Sequence, residues 1–120
     1  NGPALDGVKL AELESLVGGP QGLAALIDSF LEDAPHLLLA LRQKVQAGDA
    51  VEVRRIAHSL KSNGADFGAT AFAGLCRELE LLAAAGTLEG AAALADRIQT
   101  EYGRVEVALT EARDGVGAGR

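Results

Sequence analysis

Apolar residues recur along this chain every three or four positions, in five segments parted by glycine-bearing turns, and that spacing is the period of a helix with one buried face. Asp6 is placed to cap a short first helix running through about Val17, with Leu10, Leu13 and Val17 on one side, before Gly18-Gly19-Pro20 ends it. A second helix starts near Gln21 and carries Leu23, Leu26, Ile27, Phe30, Leu31, Ala34, Leu38, Leu41 and Val45 in continuous phase. Pro35 removes an amide donor and crowds the Leu31 carbonyl, but the stripe keeps its register across it, so one kinked helix is expected and not two. Gly48 supplies a left-handed stop, and Asp49 with Glu52 forms a D-x-x-E capping box that starts a third helix from Ala50 to about Asp66. Its stripe is Val53, Ile56, Ala57, Leu60 and Gly64, with Phe67 packing below Leu60 and Gly68 closing the end. Thr70 is placed to cap a fourth helix, striped by Phe72, Leu75, Cys76, Leu79, Leu82 and Ala83. Gly86-Thr87 reads as a C′ glycine followed by an N-cap. The fifth stripe is Ala91, Leu94, Ala95, Ile98, Tyr102, Val105 and Leu109, weakened at Gly103 by about 1 kcal/mol relative to Ala.

Short connections between long amphipathic helices force antiparallel neighbours. The predicted fold is therefore all-α: an antiparallel four-helix bundle, with the short additional N-terminal helix as a lid on one end. One helical domain is expected over residues 6–113, flanked by a disordered N-terminus, 1–5, and a disordered glycine-rich tail, 114–120. Composition agrees, since Ala and Leu dominate and the aromatics are only Phe30, Phe67, Phe72 and Tyr102. The single cysteine, Cys76, excludes an intrachain disulfide and suits a reducing compartment, hence a cytoplasmic location. No apolar run approaches the roughly 18 residues of a membrane span. A net charge of −6 without a basic stripe argues against nucleic acid. The chain starts at Asn1 and contains no Met, which reads as a processed or excised chain and leaves open whether it is one module of a longer protein or a free-standing carrier. A bundle whose stripes are satisfied internally is expected to be a monomer, although an apolar strip on the first helix could pair two copies.

Candidate chemistry concentrates on the third helix. At about 100° per residue, His58 lies roughly 140° from the centre of the buried stripe, so its imidazole should stand in water. Its neighbours one turn away are Arg54, Arg55, Lys61 and Ser62, because side chains at i±3 and i±4 meet on a helix surface. Three cations so close disfavour the imidazolium, leave the neutral nucleophilic ring more populated and would offset an arriving anion. Elsewhere the signals are weak. His36 shares no metal-ligand spacing with another His or Cys, and no metal site is expected. Cys76 lies on a core stripe, and Glu12, Glu14, Glu32, Asp33, Glu78 and Glu80 read as ordinary solvated carboxylates. No glycine-rich phosphate loop is present, so neither a nucleotide cofactor nor self-phosphorylation is expected.

The stretch Ala57-His58-Ser59-Leu60-Lys61-Ser62-Asn63-Gly64-Ala65-Asp66-Phe67-Gly68-Ala69 resembles the signature of histidine-containing phosphotransfer (HPt) domains: Ala-His, a hydrophobe, Lys three residues after the His, then Gly-Ala. Phe30-Leu31, Pro35, Gly48-Asp49 and the run Cys76-Arg77-Glu78-Leu79-Glu80 also look like that family. Two positions depart from it: Ser62 stands where Gly is usual, and Asp66 where a neutral residue is common. The resemblance implies reversible phosphorylation of His58 and a relay between receiver-domain aspartates. Lys61 would contact the phosphoryl oxygens, Arg54 and Arg55 would support it, and Ser62 would serve by being small. Val51 and Ala65 could form an apolar apron for docking. Implied partners are response-regulator receiver domains, which bring their own acidic pocket and divalent metal, and a hybrid sensor histidine kinase. The ring nitrogen involved, Nε2 or Nδ1, is left open by the sequence. Two other readings stand beside this one: a domain phosphorylated by a chemotaxis-type kinase, and a docking or dimerisation bundle with an inert His58.

Overall fold

The computed structural model describes residues 2–117, which form five α-helices and, among the described residues, no strand. These are α1 (Gly7–Leu16), α2 (Pro20–Ala47), α3 (Ala50–Asp66), α4 (Thr70–Ala84) and α5 (Ala91–Gly117). The four long helices pack in a closed cycle, α2 on α3, α3 on α4, α4 on α5 and α5 on α2, while α1 lies against α2 and α3. The α3–α4 contact is the most extensive of these.

The stripes read from the sequence are the ones buried. Leu23, Ile27, Phe30, Ala34, Leu38 and Leu41 of α2 meet Val53, Ile56, Ala57, Leu60 and Gly64 of α3 and Phe72, Cys76, Leu79 and Ala83 of α4. Ala91, Ala95, Ile98, Tyr102, Val105 and Leu109 close the core from α5. Four rings from three helices and the α3–α4 turn share its centre: Phe30 lies 5.2 Å from Phe67, 6.4 Å from Phe72 in an edge contact, and 6.1 Å from Tyr102. Offset and edge contacts of this kind are the favoured aromatic geometries, and they tie α2, α4 and α5 together at one level.

Helix ends follow from local chemistry, with some differences from expectation. Asp6 caps α1 by accepting from the amides of Val8 and Lys9. The second helix begins one residue early, with Pro20 in its first turn, where a missing amide costs nothing, and it runs unbroken through Pro35. Gly48 adopts the left-handed conformation (φ 72°), and the Asp49 amide donates to the Lys44 carbonyl. That bond alters the expected capping box. The Asp49 carboxylate does accept from the Glu52 amide, but its own amide is already taken, and the Glu52 carboxylate turns to Arg55 instead.

Thr70 does not cap α4. Ala69 holds the N-cap position, and the Thr70 hydroxyl donates to the Gly68 carbonyl, because the α3 closing bonds, Gly68 to Ala65 and Ala69 to Gly64, leave too short a link for a separate cap. Thr87 likewise accepts from the Glu89 amide in a turn ahead of α5, which begins four residues later at Ala91. At the chain's start, residues 2–5 are held and not loose: Ala4 and Leu5 pack against the core, the Asp6 amide donates to the Gly68 carbonyl, and the Arg104 guanidinium donates to the Gly2 carbonyl. At the other end α5 continues to Gly117, so residues 114–117, expected in a disordered tail, are helical. Residues 118–120 of that tail, like Asn1 at the other end, lie outside the described residues. No described helix is long and apolar enough to cross a membrane.

Candidate functional site

His58 stands on the outer side of α3, its side chain 59% exposed, in the register its helical phase demands. The ring is not free. Its Nδ1 lies 2.6 Å from Oε2 of Glu80 on α4, and Oε1 of the same carboxylate accepts from the Lys61 ammonium, also at 2.6 Å. One carboxylate thus bridges the His and the Lys one turn below it, across the most extensive helix contact in the molecule. The Glu80 side chain is only 14% exposed, with Leu79 beside it fully buried in the core.

This geometry selects one tautomer of the neutral ring. The Lys61 hydrogen bond first, and that from His58 after it, hold the Glu80 carboxyl below the usual carboxylate range, outweighing the opposing effect of burial. An ionised carboxylate only accepts, so Nδ1 carries a proton, and in the neutral ring Nε2 carries the lone pair. Nε2 makes no hydrogen bond among the described residues, on a side chain that is more than half exposed.

Around the ring, a shallow hollow of about 420 Å³ is lined by Val51, Arg54, Arg55, His58, Ser59 and Glu80. The three cations expected beside His58 are therefore distributed unequally. Arg55 is held by the Glu52 carboxylate, at 2.9 Å to its outer nitrogen and 3.2 Å to Nε. Lys61 is held by Glu80. Arg54 alone has no hydrogen-bond or ion-pair partner among the described residues. Val51 is 77% exposed at the rim of the hollow. Ser62 and Ala65 are exposed on α3 but do not line it.

Glu80 is the residue that sequence reasoning passed over, grouping it with solvated carboxylates. Two signals pointed to it. It adjoins Leu79 on the α4 stripe, where a side chain flanks a helix contact, and it brings an anion to a helix that faces a run of cations on α3, although Glu78 shares both features. Among the described residues no cluster of three or more His, Cys, Asp or Glu could hold a metal.

Comparison with known proteins bears directly on this arrangement. The Hpt domain family model matches residues 25–108. The crystal structure of histidine-containing phosphotransfer protein B from Pseudomonas aeruginosa PAO1 superposes with a TM-score of 0.88, at 34% identity over 95% of this chain and 97% of that one. Among curated proteins no sequence matches the chain. A family match over most of the sequence and a structural match over nearly all of it agree: the chain belongs to the Hpt domain family, the histidine phosphotransfer proteins of phosphorelay signalling.

Proposed function

We propose that His58 carries the phosphoryl group on Nε2, taking it from the aspartyl phosphate of one receiver domain and passing it to the aspartate of another. The observation that supports this most is the contact of Glu80 with Nδ1, which leaves Nε2 as the one ring nitrogen with a lone pair, on the exposed side of a rigid helix. In each step a carboxylate oxygen and Nε2 exchange the phosphorus atom. The bond broken is P–O on loading and N–P on delivery, and the electron pair stays with the departing atom. Phosphoryl transfer depends on positioning and charge stabilisation more than on covalent help from side chains, so a shallow site is sufficient.

Lys61 is the cation for the phosphoryl oxygens, with Glu80 holding it in place one turn from the ring. Arg54, unpaired, is free to meet an acidic partner, whereas Arg55, engaged by Glu52, shapes the hollow. Ser62 keeps the approach open, and Val51 with Ala65 offers apolar contact on either side of His58. Receiver domains are the partners, with a hybrid sensor kinase upstream, and no cofactor of the chain's own takes part. The two-residue and three-residue links on either side of α3 support an antiparallel four-helix bundle over residues 6–113, with α1 added at one end. Its internally satisfied stripes support a monomer, and the single free cysteine, Cys76, suits a cytoplasmic location.

The test is transfer from phosphorylated receiver domains to wild type and to His58→Gln. Acid-labile label should appear on wild type alone, with the helical signal in circular dichroism unchanged. Equal labelling of the Gln variant would remove His58 from the reaction.

A further inference from the structure

Glu80 need not let go of the ring when the ring is loaded, because Nδ1 and Nε2 lie on different sides of it. Resting on the reading of His58 as the acceptor, we infer that Glu80 holds the Nδ1 proton on the ring throughout the phosphoryl cycle, so that the loaded residue remains a phosphoimidazolium and departs as neutral imidazole.

The chemistry turns on what leaves. When Nε2 attacks phosphorus, its lone pair becomes the N–P bond, the P–O pair goes with the donor carboxylate, and the ring keeps its Nδ1 proton and gains a positive charge. On delivery the acceptor carboxylate forms a new P–O bond, and the N–P pair returns to Nε2. No proton moves in either direction. A loaded ring that had lost its Nδ1 proton would instead have to leave as imidazolate, a far more basic and poorer leaving group. Whatever retains that proton therefore controls both the readiness of transfer and the lifetime of the loaded state.

The structure assigns this task to one group. Oε2 sits 2.6 Å from Nδ1, and Oε1 is anchored by Lys61, so the carboxylate cannot turn away from the ring without breaking a second bond. The other charges around His58 are mostly cations: Arg54, Arg55 and Lys61 on α3, and the exposed Arg77 one turn before Glu80 on α4. Glu52, the nearest other anion on α3, is spent on Arg55. The remaining neighbours of α3 put their charges toward its ends, Lys44 of α2 near Glu52, Asp33 of α2 beside Asn63 and Asp66, and Lys9 of α1 beside Gly68. Cations oppose a charged ring, and an opposite charge within hydrogen-bond distance favours it. Glu80 is thus the group that holds the proton against its surroundings.

The test needs no partner protein. Wild type, Glu80→Gln, Lys61→Met and His58→Gln are phosphorylated with phosphoramidate, and phosphorus NMR and loss of label are followed across pH. Replacing Glu80 by Gln keeps the shape and removes the charge. The pH midpoint of the phosphohistidine signal and of its decay should then fall by about one unit. Above both midpoints the loaded variant should decay up to about tenfold more slowly than wild type. Lys61→Met retains the carboxylate and loses a cation, so its midpoint should stay or rise. Equal midpoints in wild type and Glu80→Gln would overturn the inference. So would a midpoint in Lys61→Met as low as in Glu80→Gln, because the carboxylate would then be acting only on the lysine. Label on His58→Gln is a different result, striking at the acceptor assignment itself.

Discussion

Gly64 offers the sharpest test of how α3 and α4 are held together. A Cβ added there would lie 2.6 Å from Cδ2 and 3.0 Å from Cε2 of Phe72, against about 3.5–4.0 Å for carbon atoms at rest. The ring would have to retreat by about 1 Å, and it has little room: Phe72 is fully buried, with Tyr102 at 6.2 Å and Phe30 at 6.4 Å between ring centroids. Two terms compete in Gly64→Ala. The helix gains about 1 kcal/mol from replacing glycine in its interior, and overpacking costs about 1–3 kcal/mol. The expected net is a loss of about 1 kcal/mol, or a melting point lower by about 4 °C in a chain of this size. Urea and thermal unfolding followed by circular dichroism measure it, and Phe72→Leu supplies the control. Shrinking the ring should relieve the clash, so the double variant should be more stable than the sum of the singles predicts, by about 1 kcal/mol. A gain of about 1 kcal/mol in Gly64→Ala, or strict additivity with Phe72→Leu, would show that the helices do not depend on this close approach.

Burial pushes the Cys76 thiol up to about 12, so a thiol reagent should leave the native protein untouched and modify it only at the rate of unfolding. The Tyr102 hydroxyl is buried without a hydrogen-bond partner among the described residues, so Tyr102→Phe should be neutral or stabilising by up to about 1 kcal/mol in urea. Asp49→Ala removes the α3 cap and should cost about 1 kcal/mol by the same measurement. Because Glu80 titrates lower in the folded chain than its ordinary 4.5, its contribution is present above that pH and is lost as pH falls through the folded value. The stability gap between wild type and Glu80→Gln should therefore be open at neutral pH and close in acid.

The helices were legible because each buries a stripe with unambiguous period, and α3 falls on the predicted bounds, Ala50 and Asp66. His58 was legible for the converse reason, as a polar residue out of phase with that stripe. What periodicity could not convey was pairing across helices. Glu80 looks like Glu78 in the sequence, and only the docking of α4 on α3 turns one of them toward Lys61 and His58. The same limit explains the caps. Whether Asp49 completes a capping box depends on whether its amide is already used by the preceding helix, which the D-x-x-E pattern does not encode. Composition likewise carries no trace of the contacts that hold residues 2–5, which come from the core under Ala4 and Leu5 and from Arg104, about a hundred positions from Gly2.

The place where Gly2 and Pro3 rest has a practical meaning. They line a groove with Ala71, Gly74, Leu75 and Glu78 of α4 and with residues of α5. At about 100° per residue these α4 positions lie across the helix axis from Glu80. A tag, surface anchor or joined domain attached ahead of Gly2 would therefore emerge on the far flank of α4, leaving the face that carries His58 and Glu80 unobstructed. Immobilised by that end, the protein could be offered to soluble partners, with binding and exchange read in the same orientation every time.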